Sequence, residues 1–197
     1  MPNGIGYVHN ALKKRSISFQ IFDLDIVTYH HYHIGRLFDE GGKIILKSGR
    51  EMPDDPWKAE HYDLWANQEV IDYFGEIIEQ TTKALIEARP KILGFSIHGC
   101  NEIFSQKLLK AVKAVLPETI ILVGGYSCYN PDIGLRAFPE CDYMCIGESD
   151  LTVGPLVESL ARGELPSDQP GILSCHDSKE HRFIHVPVVH NIDNIEF

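Results

Sequence analysis

Apolar and polar positions follow an alternating strand and helix pattern along residues 91–174. Short apolar runs at 92–97, 119–123, 141–146 and 171–174 predict four strands. Between them, apolar residues recur three and four positions apart at 104–116 and 153–160, and a short helical turn is predicted at 133–137. A near-continuous apolar run such as 119–123 is typical of a strand that is buried on both faces. The pattern therefore predicts an α/β fold with a doubly wound, mostly parallel sheet.

The first half of the chain has a weaker pattern. Apolar spacing at residues 4–15 predicts a short helix, and the aromatic and branched run at 18–27 predicts the first clear strand. Glycine and proline residues punctuate 28–67, which we interpret as an insertion after that strand. A long amphipathic helix is predicted at 68–89, and Pro90 ends it because the residue before a proline avoids the helical conformation.

Length and composition favour one folded globular domain. The chain has 197 residues, of which 44% are hydrophobic and 23% charged, so it is long enough to bury a full core. We predict that residues 1–184 form this domain and that 185–197 are a linker. Five scattered cysteines favour free thiols in a reducing, cytoplasmic setting over a disulfide framework.

Charge and hydropathy disfavour two classes of partner. The formal net charge is −10, and an acidic surface repels the phosphate backbone of nucleic acid. The sequence has no signal-peptide pattern and no apolar run long enough to span a bilayer, so we expect no membrane partner.

Glycine-bearing segments follow three of the predicted strands, at the point where each strand ends. These segments are Ser96-Ile97-His98-Gly99, Gly124-Gly125-Tyr126 and Gly147-Glu148. In open parallel sheets the carboxyl ends of the strands share one edge, and ligands bind outside that edge. Glycines there let a large ligand approach the backbone closely. The alternative is that Gly124 and Gly125 only make a tight turn between a strand and a helix.

Three sequence motifs in a set order resemble the cobalamin-binding domain of radical SAM enzymes. The motifs are Gly94-Phe95-Ser96-Ile97, Ile121-Leu122-Val123-Gly124-Gly125 and Asp142-Tyr143-Met144-Cys145-Ile146-Gly147-Glu148. Each motif is weak alone, and the ordered set is more specific. The resemblance covers residues 4–174 and is strongest from Lys91 onward. It implies a Rossmann-like domain that binds cobalamin across its strand ends.

The resemblance also implies roles for single residues. Ser96 and its neighbours would contact the nucleotide tail of cobalamin, and Gly124 and Gly125 would let that tail pass the backbone. Gly147 and Glu148 would lie near the edge of the corrin ring. The complete set of predicted cofactor-binding residues is Ser96, His98, Gly99, Gly124, Gly125, Tyr126, Gly147 and Glu148.

His98 has two interpretations. It lies at a predicted strand end beside Gly99, where a neutral imidazole is suited to face cobalt or a substrate. The alternative is that His98 caps a helix or packs beside Asn101. The sequence leaves both open.

The chain departs from the family pattern in two motifs. It lacks Asp-x-His-x-x-Gly, whose histidine ligates cobalt in the cobalamin mutases and methionine synthase, so cobalamin is expected to bind without that ligand. It also lacks Cys-x-x-x-Cys-x-x-Cys, because no third cysteine follows Cys141 and Cys145 at the required position. The resemblance therefore implies that the iron–sulfur cluster and S-adenosylmethionine belong to a separate C-terminal radical SAM domain, toward which residues 185–197 lead. The chain alone is expected to bind cobalamin without catalytic residues or metal ligands of its own, within a parent methyltransferase or related radical enzyme.

Two further constellations suggest weaker sites. Gly4, Gly6 and Asp25 partly match the sequence motif of dinucleotide-binding domains. His9 occupies the position of the third glycine, so helix packing is the favoured interpretation.

The second constellation is a group of histidines. His30, His31 and His33 have the chemistry of metal ligands, together with Asp25 or Asp39, although a solvated loop is favoured for them.

Two other functions remain open. A stand-alone α/β nucleotide-binding protein or small enzyme would use the same strand ends, with a catalytic group near Ser96, His98 or Glu148. A degenerate domain that binds no cofactor would serve as a docking platform, with bulky side chains over Gly124 and Gly125.

Overall fold

A computed structural model describes residues 3–38, 41–166, 169–175 and 184–186. The helices are α1 (Asn3–Lys14), α2 (Leu24–Phe38), α3 (Gln68–Tyr73), α4 (Gly75–Ala88), α5 (Glu102–Val115), α6 (Pro131–Ala137) and α7 (Val153–Arg162), with a 3-10 helix at Ala59–Ala66. The strands are β1 (Ile92–Ser96), β2 (Ile120–Gly124), β3 (Tyr143–Cys145) and β4 (Ile172–Ser174).

The four strands form one sheet in the order β1-β2-β3-β4. Strands β1, β2 and β3 are parallel, and β4 is antiparallel to β3. The register places Ser96 opposite Gly124 and Val123 opposite Met144. The predicted α/β fold with a mostly parallel, Rossmann-like sheet is confirmed, as are the four predicted strands of the second half.

Helices cover the sheet on both faces, because alternate residues of each strand point to opposite sides. On one face, Leu122, Tyr143 and Cys145 pack with α1 and α7. On the other face, Ile121 and Met144 pack with α5 and with the end of α6. The near-continuous apolar run of β2 therefore corresponds to burial on both sides, as its sequence predicts.

The predicted strand at 18–27 is wrong. Residues 17–23 have no regular structure, and α2 begins at Leu24. Asp23 accepts a hydrogen bond from the backbone N–H of Ile26 at 3.3 Å, which satisfies a free donor of the first helical turn. The buried residues Thr28 and Tyr32 lie four positions apart on the inner face of α2, which is the spacing of a helix. The prediction missed this spacing because the aromatic and branched residues at 18–27 favour a strand.

The predicted helix at 68–89 consists of two helices. Phe74 interrupts it, lying between α3 and α4 with its side chain fully buried. The C-terminal end agrees with prediction: α4 stops at Ala88, and Arg89 adopts a left-handed conformation with φ of 47° before Pro90. Packing of one large ring has therefore overridden a continuous helical pattern.

The segment predicted as an insertion, 28–67, contributes to a large buried cluster before β1. Tyr32, Trp65 and Phe74 are at its centre, and Phe104 and Leu108 of α5 join it to the sheet. The indole N–H of Trp65 donates to the carbonyl of Pro56 at 3.0 Å, and the Tyr32 hydroxyl donates to the carbonyl of Pro53.

Among the described residues, no helix combines the length and the apolar character that crossing a bilayer requires.

Candidate functional site

The ends of β1, β2 and β3 lie together at one edge of the sheet. The Ile97 backbone N–H donates to the carbonyl of Gly124 at 2.7 Å, and the Ser127 N–H donates to the carbonyl of Ile97 at 3.2 Å. Strands β2 and β3 are neighbours in the same direction, so Gly147 follows at the same edge. We call this edge the rim and define it as residues 96–99, 124–126 and 147–148, the eight predicted site residues and Ile97.

The glycine pair of the rim faces protein atoms. Gly125 has φ of +104°, and a Cβ there would lie 2.7 Å from both the backbone N and O of Ile97. A Cβ on Gly124 would lie 3.2 Å from the Cβ of Cys145. Glycine is therefore required at position 125, and a side chain at position 124 would be crowded by Cys145, which agrees with the tight-turn interpretation of this pair.

Open space lies at two other glycines, Gly94 in the middle of β1 and Gly99 in the loop after it. A Cβ on Gly94 or Gly99 would meet no atom within 4 Å, and both residues are exposed. Ser96 is exposed as well, and Tyr126 is 82% exposed. As far as the described residues go, the sheet face at β1 and the loop after β1 are therefore accessible to a ligand.

The loop after β1 is braced by Asn101. Its side-chain oxygen accepts from the His98 backbone N–H at 2.8 Å, its amide group donates to the Ser96 carbonyl at 3.1 Å, and its backbone N–H donates to the His98 carbonyl at 3.0 Å. Asn101 occupies the N-cap of α5 as predicted, but its side chain makes no capping hydrogen bond. It holds the position of His98 instead.

Asp25 lies near this part of the rim, a position that the sequence pattern did not predict. Burial raises the pKa of the Asp25 carboxyl above its ordinary value of 3.8, the charge of Asp23 raises it further, and the charge of His98 lowers it. Burial and the charge of Asp25 likewise raise the pKa of the Cys100 thiol. The first turn of α2 is therefore near enough to the loop after β1 for the charges of Asp25 and His98 to interact, and Leu24 and Cys100 pack against the same buried cluster. Sequence reasoning missed this proximity because it assigned residue 25 to a strand.

The third part of the rim, residues 147–148, precedes helix α7. Gly147 has φ of +82°, and the Ser149 hydroxyl donates to its carbonyl at 3.3 Å. The Ser149 carbonyl accepts from the N–H groups of Thr152 and Val153, which begins the helix. Glu148 is exposed between these turns. The side chain of Val186 lies 3.9 Å from where a Cβ on Gly147 would be.

The histidines at 30, 31 and 33 belong to α2, so the predicted solvated loop is wrong. His30 is exposed, whereas His31 packs against Tyr73 with ring centroids 5.5 Å apart. His33 lies 4.2 Å from the Tyr29 ring, and its Nε2 is buried with no hydrogen-bond partner. Asp39 lies outside the described residues. Within the described residues, no three or more His, Cys, Asp or Glu side chains are grouped to hold a metal ion.

The glycines of the dinucleotide-like pattern lie within α1. No atom lies within 4 Å of a Cβ built on Gly4 or Gly6, so neither makes a tight turn or a close approach. Helix α1 packs on α7 and the sheet through Ala11 and Leu12. This agrees with the helix-packing interpretation.

A shallow cavity of about 250 Å³ lies at the opposite edge of the sheet. It is lined by Arg89, Lys91 and residues 115–119, which precede β1 and β2. This cavity is separate from the rim, because the two edges are at opposite ends of the strands.

In comparisons with known proteins, the chain matches no protein-family model and no curated protein at a significant level.

Proposed function

We propose that this chain is the cobalamin-binding domain of a radical SAM enzyme, a methyltransferase or related radical enzyme, and that it binds the corrinoid at the rim. The observation that carries the proposal is the adjacency of the three resembling strand ends. Ser96 lies opposite Gly124, and the end of β3 follows beside β2 at the same edge. Ligands of open α/β sheets bind outside this edge.

The rim has groups that fit a large amphipathic ligand. The exposed Ser96 hydroxyl and the open space at Gly94 and Gly99 suit the nucleotide tail. The exposed side chains of Ile26 and Val27 follow Asp25 on α2 and offer apolar surface to a corrin ring.

His98 is suited to face the ring or its polar substituents, because its backbone is held by Asn101 and its charge interacts with Asp25. When bound, cobalamin supplies the reactive cobalt centre. The residues of this chain bind and orient it, and the iron–sulfur cluster and S-adenosylmethionine are assigned to a further domain of the parent enzyme in the cytoplasm.

The test is a titration of the purified chain with hydroxocobalamin, followed by the visible spectrum and by pigment retained after desalting. We expect a spectral change and retained pigment. The variant Gly99→Phe fills the open space of the rim and should weaken binding at least about tenfold. Gly4→Phe, at an equally open glycine of α1, should bind as the wild type does. A folded wild-type protein with no spectral change and no retained pigment would count against the proposal.

A second candidate is a nucleotide-binding protein that uses the same rim. The exposed Ser96 and the open loop at Gly99 favour it. An enzyme would need a catalytic group near Ser96, His98 or Glu148, and Cys100 is a poor candidate for it, because burial and the charge of Asp25 raise the pKa of its thiol and keep it protonated. Adding ATP or NAD in place of cobalamin distinguishes the two candidates, because only the nucleotide binder should be stabilised against heating.

The docking platform has less support still. Its expected feature is bulky side chains over Gly124 and Gly125. In the described part of the chain, the atoms nearest these glycines belong to the Ile97 backbone, Ser96 and Cys145.

A further inference from the structure

Two cysteines that are distant in sequence meet at the edge of the sheet opposite the rim. Cys141 lies two residues before β3, and Cys175 directly follows β4. Their Sγ atoms are 2.9 Å apart, closer than two non-bonded sulfur atoms normally approach. All five cysteines are free thiols in the structure.

We propose that Cys141 and Cys175 are a modification site that hydroperoxides oxidise to a reversible disulfide bond, fastening the end of β4 to the start of β3. The backbone already holds the pair in place. The Cys175 N–H donates to the carbonyl of Asp142 at 2.9 Å, and the Cys141 N–H donates to the carbonyl of Phe138 at 3.1 Å. Closing the bond to its usual length of about 2 Å requires a shift of only about 1 Å.

The surroundings of the two thiols set the order of the reaction. Cys141 is buried, and Cys175 is only partly buried. The hydrogen bond to Cys175 and burial both raise the pKa of the Cys141 thiol, so Cys141 stays protonated. Peroxide therefore reaches Cys175 first.

The chemistry is balanced with one hydroperoxide. The Cys175 sulfur gives up its proton and attacks the O–O bond, which breaks to leave a sulfenic acid and one water (or alcohol). The Cys141 sulfur then attacks the sulfenic sulfur, the S–S bond forms, and the S–O bond breaks. The leaving hydroxide takes the Cys141 proton and departs as water. Two thiols lose two electrons, which the peroxide accepts.

The bond would add a covalent link to a short strand whose residues Ile172 and Leu173 are already buried. Strand β4 has three residues and pairs only with β3 among the described strands. Just before β4, the Gly171 carbonyl accepts from the Ile146 N–H at 2.8 Å, and the Gly171 N–H donates to the Ile184 carbonyl at 2.7 Å. The cross-link would therefore also steady the end of β3 that leads into Gly147. This inference does not depend on cobalamin binding.

The neighbouring cysteines provide matched controls. Cys128 is buried in the same cluster as Cys141, whereas Cys145 packs on the opposite face of the sheet. Burial raises the pKa of both thiols to about 12. Neither is expected to form the bond.

The experiment treats the reduced full chain with hydrogen peroxide, alkylates the remaining thiols and digests with trypsin without reductant. Cleavage after Arg136, Arg162 and Lys179 places Cys141 in peptide 137–162 and Cys175 in peptide 163–179. We expect these peptides to be joined, with the loss of two hydrogen atoms and reversal by dithiothreitol. Cys175→Ser should abolish the link, and Cys145→Ala should keep it, which assigns the bond to Cys141.

A second readout is thermal stability. The cysteines are 34 positions apart, and a cross-link over such a loop should raise the midpoint of unfolding of the oxidised protein by roughly 5–10 °C over the reduced protein. Cys145→Ala should show the same rise, and Cys175→Ser none. Sulfinic acids without a link, a bond to Cys100, Cys128 or Cys145, or a link without any rise in the midpoint would each overturn the proposal.

Discussion

The sheet region (residues 91–166 and 169–175) and the aromatic region (24–38 and 41–88) bury apolar side chains in different ways. In the sheet region, apolar strands pair through the backbone, and glycines allow the strands to approach closely. In the aromatic region, rings pack against rings across several short helices. Trp65 stacks on Phe74 with centroids 5.6 Å apart, and Trp57 contacts Trp65 at 5.3 Å.

The difference explains where each region is sensitive. Because its strands pair through the backbone, the sheet region depends on particular polar side chains that bind backbone groups and on glycines where strands approach closely. Ring packing makes the aromatic region depend on large side chains. Substitutions that remove one kind of support and spare the other test this distinction.

The largest expected effect is in the aromatic region. Phe74→Ala removes a fully buried ring that contacts Trp65, Tyr73 and Trp57, and it should lower the free energy of unfolding by about 4 kcal/mol. Urea denaturation measures the loss. Tyr62→Ala, at a ring that is 49% exposed on the 3-10 helix, should cost less than about 1 kcal/mol. Equal losses in the two variants would contradict a core built on buried rings.

The next effect is in the sheet region. The Asp142 carboxylate accepts from the Ile121 N–H at 2.6 Å and pairs with Lys113 at 2.9 Å. Asp142→Ala should lower the free energy of unfolding by about 3 kcal/mol, because it leaves both partners without a buried acceptor. Glu140→Ala, at an exposed carboxylate nearby, should change it by less than about 0.5 kcal/mol. A small loss for Asp142→Ala would show that the strand pairing holds without this anchor.

A pair of glycine substitutions separates strand packing from open space at the rim. Gly125→Ala forces a side chain to a φ of +104° against the Ile97 backbone, and it should cost about 2 kcal/mol or more. Gly99→Ala enters open space and should change stability by less than about 0.5 kcal/mol. Thermal unfolding of both variants gives the comparison. If Gly125→Ala is as stable as the wild type, the turn does not require glycine.

The smallest effect lies where the two regions meet, at Asp25. Its folded-state pKa is raised above the ordinary 3.8, mainly by burial. Folding therefore favours the protonated carboxyl. This contribution to stability is complete below about pH 3.8 and is lost as the pH rises through the folded-state pKa.

Asp25→Asn should consequently gain stability relative to the wild type as the pH rises from 3 to 7. The gain should stay below about 1 kcal/mol because Asp25 is partly exposed. Unfolding midpoints across this pH range measure it, and Glu76→Gln in the first turn of α4 controls for loss of a helix-terminal charge. A gain that is largest at low pH would contradict the raised pKa.

Much of the sheet region could be predicted from local pattern. The runs at 92–97 and 119–123 have the length and branched composition of buried strands, and the helices between them have a clear apolar face. Because parallel strands share their carboxyl ends, the grouping of Ser96, Gly124 and Gly147 at one edge followed from the fold class.

The aromatic region could not be predicted in this way. Residues 18–27 have the composition of a strand, yet α2 begins at Leu24, because Thr28 and Tyr32 find buried partners only when the chain is helical. Phe74 interrupts a helix because its ring fits among rings that are distant in sequence. Such preferences arise from partners that a local window does not contain.

The sequence by itself determined the four strands of the second half, the order of the helices between them and the glycines at the strand ends, since these depend on neighbours a few residues apart. Only the tertiary structure decided why Gly125 must be a glycine, that Asn101 braces His98, that Asp25 lies near it and that Cys141 meets Cys175. The Asn101 contact is local and depends on the conformation of the loop after β1, whereas the others join segments far apart in sequence, whose positions are set by packing of the whole sheet and its helices.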